Sequence, residues 1–259
     1  MEHAECEVGS MLLKGRVAIV TGSSRGIGAA TVQLLAQHGA KVTVNYTRDQ
    51  EAGSRTLDKI EEAGGTGILV QADVTDNEQV KAMVEKTERD LGAVDILVNN
   101  ANMSFPVLPF VKFPWEGFEQ KLLHEMKAAF YCCQAVVNGM IERGQGCIVN
   151  ISSGLSRVPG PGFIAHTSAK SALDAFSKSL ALELGPYGIR VNVVAPGLIE
   201  TDATANQPEE RKTAIAKMTP LRRLGQPEDI AGAVLFYCTD WSRFVTGTYA
   251  PVCGGTQMI

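Results

Sequence analysis

Three polar side chains near the middle of the chain have the types and spacing of a proton-transfer site. His166 and Lys170 lie four residues apart, so on a helix they project from the same face. Ser153 ends an apolar run just before the loop that leads to this helix. A hydroxyl, an imidazole and an ammonium group can therefore meet at one bound molecule, where the imidazole would exchange protons near neutral pH.

The elements that position these residues belong to one α/β domain. The chain has 259 residues, 45% of them hydrophobic, and a formal net charge of -4. This charge disfavours nucleic acid and anionic lipid as partners. No apolar run is long enough to span a bilayer and no secretory pattern is present, so we expect a cytoplasmic protein without a membrane partner. Residues 1–12 are predicted to be a flexible extension, and residues 13–259 the domain.

The cysteines show no paired spacing and lie mostly in apolar runs. We therefore expect reduced, buried thiols and predict neither a metal site nor a disulfide. The six residues are Cys6, Cys132, Cys133, Cys147, Cys238 and Cys253.

A glycine-rich turn follows the first predicted strand. The apolar run 17–20 suits a buried strand, and a helical pattern begins after the turn and extends to about residue 38. A strand that turns through glycines into a helix N-terminus forms an anion site, because free backbone N–H groups point at one place. We therefore predict nucleotide binding here, through Gly22, Ser24, Arg25, Gly26, Ile27 and Gly28.

The end of the second strand, predicted at residues 41–46, distinguishes the two nicotinamide cofactors. A carboxylate there would bind a ribose 2′-OH, but Tyr46 occupies the position. Arg48 and Arg25 have guanidinium groups suited to a 2′-phosphate, which favours NADP(H) over NAD(H). Two alternatives stay open: the arginines only border the site in solvent, or Asp49 reaches the ribose.

The chain resembles the short-chain dehydrogenase/reductase family, and within it the 3-oxoacyl carrier-protein reductases. The resemblance is carried by the Gly22-x-x-x-Gly26-x-Gly28 turn, the Asn-Asn-Ala run at 99–101, and Ser153 with its downstream lysine, and it covers residues 13–255. It implies a Rossmann-like, doubly wound parallel sheet in a single domain. The alternation of predicted strands and helices without a linker agrees with this fold.

The resemblance also implies further cofactor contacts at the ends of later strands. Asp73 matches the position that receives the adenine amino group, and its alternative role is to cap the next helix. Lys170 would hold the nicotinamide ribose. The remaining implied contacts are Val74, Asn100, Ala101, Pro196, Gly197, Ile199 and Thr201.

Three positions depart from the family pattern. The family's catalytic tyrosine is replaced by His166, and Glu125 stands where the family has a catalytic asparagine. Asn102 replaces a glycine, and we expect it to tolerate a left-handed backbone there. Lys170 is expected to disfavour the imidazolium form of His166, whereas a nearby Glu125 carboxylate would favour it. A salt bridge between Glu125 and Lys170 is as plausible as a catalytic role for Glu125.

Two functions follow from this pattern. The first is an NADPH-dependent reductase for a carbonyl such as a 3-oxoacyl or polyketide-like ketone, in which His166 donates the proton and Ser153 assists. The second is a protein without redox activity, either an NADP-binding sensor or subunit or a non-redox dehydratase or cyclase. A third interpretation is that His166 is a core or surface histidine with no functional role.

The expected partner is a small carbonyl substrate, either free or bound to a carrier protein. If a carrier protein delivers the substrate, Arg143 and Arg157 are the candidate residues that contact it. Residues 201–218 have the composition of a substrate lid. By resemblance we expect a homo-oligomer, a dimer or tetramer, formed through the long helices predicted at 116–142 and 163–184.

Overall fold

The computed structural model describes residues 11–205 and 207–258. Most of the predicted N-terminal extension, with Cys6, lies outside these ranges. Leu12 packs against the hydrophobic core, and Leu13 is buried with its backbone N–H donating to the carbonyl of His38. The packed domain therefore includes residue 12, one position earlier than predicted.

Seven parallel strands form one sheet in the order β3-β2-β1-β4-β5-β6-β7. This confirms the predicted Rossmann-like doubly wound fold. β1 and β2 have the predicted bounds, whereas β7 was not predicted, because it carries Pro251 and lies at the sheet edge, where a strand tolerates proline. The strands are β1 Val17–Val20, β2 Lys41–Tyr46, β3 Thr66–Gln71, β4 Ile96–Asn99, β5 Gly146–Ile151, β6 Ile189–Pro196 and β7 Tyr249–Val252.

Helices cover both faces of the sheet. Core residues of α1, α2 and α8 pack on one face, and those of α3, α4 and α5 on the other. The long helices α4 and α5 begin and end within one residue of prediction. The helices are α1 Gly26–Gln37, α2 Gln50–Glu62, α3 Asn77–Leu91, α4 Trp115–Arg143, α5 Ile164–Leu184, α6 Asp202–Ala205, α7 Glu209–Met218 and α8 Pro227–Cys238.

The described cysteines are free thiols. Cys132, Cys133, Cys147 and Cys238 are buried, as predicted, and Cys253 is half-buried. Within residues 11–205 and 207–258, no helix has both the length and the apolar character needed to cross a membrane.

The carboxyl ends of all seven strands lie along one edge of the sheet, because the strands are parallel. β1 pairs with β2 on one side and with β4 on the other, so the connections diverge at this point. A crevice at such a divergence is where ligands bind in open α/β sheets. The segments predicted to bind a cofactor or carry chemistry follow β1, β2, β3, β4, β5 and β6, and so lie along this edge.

Candidate active site

The glycine turn after β1 is shaped by close backbone approaches. A Cβ atom on Gly22 would lie 2.9 Å from the Cα of Ala101, and one on Gly28 would lie 2.5 Å from the carbonyl oxygen of Gly22. Gly22 and Gly26 have φ angles of +60° and +57°, which favour glycine. The side chain of Arg25, the N-cap residue, makes no hydrogen bond that caps α1, and the first turn of α1 holds no acidic residue. The turn can therefore receive an anion.

Polar side chains attach this turn to its neighbouring strands. Asn100 donates from its side-chain amide to the carbonyls of Thr21 and Gly22 at 2.9 and 3.1 Å. The Thr21 hydroxyl accepts from the backbone N–H groups of Asn100 and Ala101, each at 3.0 Å. The Gly22 N–H donates to Asn45 Oδ1 at 2.9 Å. Thr21 and Asn45 were not singled out in the sequence, because neither belongs to the glycine motif.

The end of β2 presents exposed cationic side chains. Tyr46 is buried, and its ring lies against the position of Gly53 in α2. Arg48 is exposed, as is Arg25 in the glycine turn. Asp49 caps α2 by accepting from the backbone N–H of Ala52 at 2.9 Å, so its carboxylate already has a structural role.

Asp73 does not cap the following helix, contrary to the alternative considered above. Its Oδ1 atom accepts from the backbone N–H and the hydroxyl of Thr75, which closes a local turn. Asp76 is the N-cap residue of α3. Val74, next to Asp73, is buried. Asp76 takes the capping role because α3 begins at Asn77, four residues after Asp73.

The segment after β6 returns to the glycine turn. A Cβ on Gly26 would lie 3.5 Å from the methyl group of Thr201, so the two segments are adjacent. Pro196 ends β6, and Gly197 donates from its N–H to Val252 at 3.1 Å. Ile199 is buried. Thr201 and the glycine turn thus border the same part of the crevice.

Ser153 lies just beyond the end of β5, and His166 contacts Phe105 in the loop after β4; the region around these side chains is called the pocket. Ser153 is half-buried just after β5, and its hydroxyl accepts from the backbone N–H of Leu155 at 3.2 Å. His166 lies in the first turn of α5 with only 8% of its surface exposed. Its ring stacks on Phe105 at a centroid distance of 4.5 Å and an interplanar angle of 14°. Among the described residues, the buried Nδ1 atom of His166 has no hydrogen-bond partner.

A buried ion cluster lies next to His166. Lys170 donates to Glu125 Oε1 at 2.5 Å and to the carbonyl of Ile151 at 2.7 Å. The salt bridge considered from the sequence is therefore present. Lys121, one turn before Glu125 on α4, donates to Glu125 Oε2 at 2.5 Å. The side chains of Lys121, Glu125 and Lys170 are 0%, 4% and 4% exposed.

Sequence reasoning missed Lys121. The ammonium of Lys121 also donates to Asn102 Oδ1 at 2.8 Å and to the carbonyl of Met103 at 3.1 Å. The only signal for it in the sequence is its spacing of four residues from Glu125. Asn102 does not adopt the left-handed backbone that was expected, since Arg222 is the one non-glycine residue with positive φ in the described part of the chain. Its side-chain oxygen instead accepts a hydrogen bond from Lys121.

The buried charges set the protonation states of the pocket. Burial is the largest cause that lowers the pKa of His166, to about 3, and the Lys170 and Lys121 ammonium groups lower it further against the opposing effect of Glu125. Burial also lowers the pKa of Lys121 to about 8. Burial raises the pKa of Glu125, but the two ammonium groups outweigh it, so the net shift is downward. His166 is therefore neutral at pH 7, and Glu125 does not restore its imidazolium form.

The arginines considered for carrier docking have other contacts. Arg143, at the end of α4, donates to the carbonyl of Val94, which precedes β4 at the opposite edge of the sheet. Arg157 pairs with Asp174 at 3.6 Å. Arg143 is therefore wrongly placed for a carrier delivered to the pocket.

The chain matches a family model described as enoyl-(acyl carrier protein) reductase over residues 22–257. It is 39% identical over 249 residues to a 3alpha-hydroxysteroid dehydrogenase of Mediterraneibacter gnavus, with 95% of this chain and 99% of the relative covered. It is 37% identical over 247 residues to a 3-oxoacyl-[acyl-carrier-protein] reductase of Synechocystis, with 95% and 98% covered. The structure of an NAD+-bound xylitol dehydrogenase superposes with a TM-score of 0.89 at 30% identity, covering 94% of this chain and 99% of that one.

Proposed function

Because this chain belongs to the short-chain dehydrogenase/reductase family, we propose that it is an NADP(H)-dependent reductase of a ketone. The observation that carries the proposal is that Lys170 donates to the carbonyl of Ile151, two residues before Ser153, and lies one turn after His166 on α5. The family-level activity is that of an oxidoreductase. The cofactor preference, the substrate and the role of each side chain are proposals.

The residues along the crevice fit a nicotinamide dinucleotide. The start of α1 has no side-chain cap and no acidic residue in its first turn, so its backbone N–H groups would bind a pyrophosphate. Exposed Arg25 and Arg48 would bind the 2′-phosphate, while the Asp49 carboxylate, which would repel that phosphate, caps α2. One structural relative holds NAD+, so NAD(H) is the alternative cofactor. When bound, the dinucleotide supplies the hydride for carbonyl reduction.

In this proposal His166 acts as a neutral imidazole. A neutral ring keeps one N–H group, which donates a hydrogen bond to the substrate oxygen together with the Ser153 hydroxyl. The same N–H gives its proton to the oxygen as negative charge develops there, and the nearby ammonium groups stabilise the anion left on the ring. The ring then regains a proton from water.

The substrate class follows from the relatives and the pocket wall. The two sequence relatives described above are named for reactions on steroid hydroxyl groups and on 3-oxoacyl groups. The loop between β4 and α4 carries the exposed side chains of Phe110 and Val111, and Trp115 at the start of α4 is exposed as well. We propose an apolar 3-oxoacyl or polyketide-like ketone, free or carrier-bound, with residues 201–218 as a lid and a homo-oligomer assembled through α4 and α5.

The test is NADPH oxidation screened across 3-oxoacyl thioesters, quinones and diketones. We expect turnover with at least one class and its loss in Ser153→Ala, because the serine supplies a hydrogen bond to the reacting oxygen. Tight NADPH binding without turnover of any carbonyl would contradict the reductase proposal.

A second candidate is a dinucleotide-binding protein without redox activity, including a non-redox dehydratase or cyclase. The observation that favours it is the state of His166, which is neutral at pH 7 and covered by the ring of Phe105. His166→Tyr separates the two candidates. Loss of reductase activity supports the first, whereas gain of activity from an inactive wild type supports the second.

A further inference from the structure

Lys121 joins all three positions at which the pocket departs from the family pattern. Its ammonium binds the side chains of Asn102 and Glu125 directly. It also lies 5.1 Å from the ring centroid of Phe105, and that ring stacks on His166. The three departures are therefore parts of one contact network with Lys121 at its centre.

The charge balance explains why a second lysine accompanies Glu125. A carboxylate paired with Lys170 alone would cancel the positive charge of the pocket. Lys121 and Lys170 together with one carboxylate leave a net charge of +1, the charge that Lys170 carries beside an uncharged asparagine. A buried carboxylate between two ammonium groups also has each oxygen paired, which offsets the cost of removing it from water.

A count of hydrogen-bond donors separates the roles of the two lysines. An ammonium group has three N–H donors. Lys121 uses them on Asn102 Oδ1, Met103 O and Glu125 Oε2, so it is saturated by the protein. Among the described residues, Lys170 donates to Glu125 Oε1 and to Ile151 O, which leaves one N–H for a ligand oxygen.

We propose that Lys121 is a positioning residue of the active site. Lys121 donates a hydrogen bond to the second oxygen of Glu125. Lys170 therefore keeps one N–H group for a bound ligand, and the pocket keeps a net positive charge. It also attaches the turn after β4 to α4. This inference rests on the proposed function for the identity of the ligand, which is the dinucleotide with its carbonyl substrate.

A double-mutant cycle tests the coupling. The variants are Lys121→Gln, Glu125→Asn and the double variant, with Lys127→Gln as the control on the exposed face of α4. NADPH affinity is measured by fluorescence titration. We expect Lys121→Gln to weaken binding about tenfold, because Glu125 then neutralises Lys170, and the double variant to return to within about threefold of wild type. The control should bind like wild type.

The cycle has clear contrary outcomes. Wild-type affinity in Lys121→Gln would overturn the proposal, as would a double variant that binds as weakly as Lys121→Gln. If Lys121→Gln does not fold, the double variant carries the test, because it removes both charges together. A folded double variant with near wild-type affinity supports the proposal, and an unfolded or non-binding one overturns it.

A second readout does not depend on the cofactor. The titratable groups around His166 are Lys170 on α5, and Lys121 and Glu125 on α4. Titration of the His166 ring by NMR in the unliganded protein should show a higher pKa in Lys121→Gln and no change in Lys127→Gln. An unchanged pKa in Lys121→Gln would overturn the inference. If neither NADPH nor NADH binds wild type, the proposed function fails, but the NMR comparison still decides the role of Lys121.

Discussion

The glycine turn after β1 and the pocket between α4 and α5 differ in how they follow the family pattern. The turn keeps every glycine of the pattern, and at Gly22 and Gly28 a side chain would collide with backbone atoms. In the alignment with the family pattern proposed from the sequence, the pocket keeps Ser153 and Lys170 and differs at the residues around them. The turn is constrained by backbone geometry, and no other residue type can replace a glycine where two backbone segments lie this close.

The pocket is constrained by charge and hydrogen bonding, which several residue sets can satisfy. Glu125 is accommodated because Lys121 pairs with its second oxygen, and Asn102 is accommodated because it is a ligand of that lysine. The pocket residues therefore depend on one another. Breaking one member should then cost more than a substitution in the turn.

The largest effect is expected for Glu125→Ala. The change leaves two buried ammonium groups without their carboxylate, and breaking a buried ion pair on one side costs about 3–5 kcal/mol. The free energy of unfolding from urea denaturation should fall by this amount. Glu119→Ala, at an exposed site on the same helix, is the control and should change it by less than about 0.5 kcal/mol. Equal effects of the two variants would show that the cluster is not stabilising.

Gly28→Ala should come next. The added Cβ would lie 2.5 Å from the Gly22 carbonyl oxygen, and overpacking against backbone costs up to about 3 kcal/mol. We expect lower stability and weaker NADPH binding, measured by urea denaturation and fluorescence titration. The matched control is Gly232→Ala in α8, where, apart from its chain neighbours and the backbone of its own helix, no atom of the described residues lies within 4 Å of the added Cβ. A tolerated Gly28→Ala would contradict the claim that backbone geometry constrains the turn.

The pH dependence of stability should reveal the neutral state of His166. Its folded pKa of about 3 lies below the unfolded value of roughly 6.5, so between these values only the unfolded chain binds the proton. Stability therefore falls as pH drops through this window, by about 2 kcal/mol between pH 7 and pH 5 for this one group. In His166→Phe, the free energy of unfolding should fall by about 2 kcal/mol less than in wild type between pH 7 and pH 5, as urea denaturation at each pH would show.

The control for this titration is Gln134→Ala, an exposed position on α4 whose side chain does not titrate. Its pH dependence should match that of wild type. If His166→Phe also matches wild type, His166 is not held neutral by its surroundings.

The smallest effect is expected for Arg48→Ala at the cofactor end of the crevice. Loss of a charge-assisted hydrogen bond to a 2′-phosphate should weaken NADPH binding about tenfold and leave NADH binding unchanged. Arg89→Ala on α3 is the control, with no effect on either affinity. Equal weakening of NADPH and NADH by Arg48→Ala would argue against a phosphate contact.

The fold was largely predictable because its signals are local. β1 and β2 are apolar runs next to glycines or turn residues, and their bounds match the prediction. β7 was missed because it is short, half-buried and contains Pro251. Its pairing with β6 is a long-range contact that no local pattern indicates.

The active site was predictable only where spacing on one element decides it. His166 and Lys170 share a helix face, so their proximity follows from the sequence. The stack of Phe105 on His166 and the contact of Lys121 with Asn102 join segments of different elements. The sequence does not indicate that Lys121 lies on the buried face of α4. Because the Lys121 ammonium is one of the groups that lower the pKa of His166, the protonation state of His166 could be determined only from the structure.

The measurement that tests the central claim most directly is calorimetric titration of the wild-type protein with NADPH and with NADH. The claim is that a dinucleotide binds along the carboxyl edge of the sheet, beside Lys170 and the neutral His166. We predict that both nucleotides bind and that NADPH binds more tightly. Absence of binding by either nucleotide would contradict the claim.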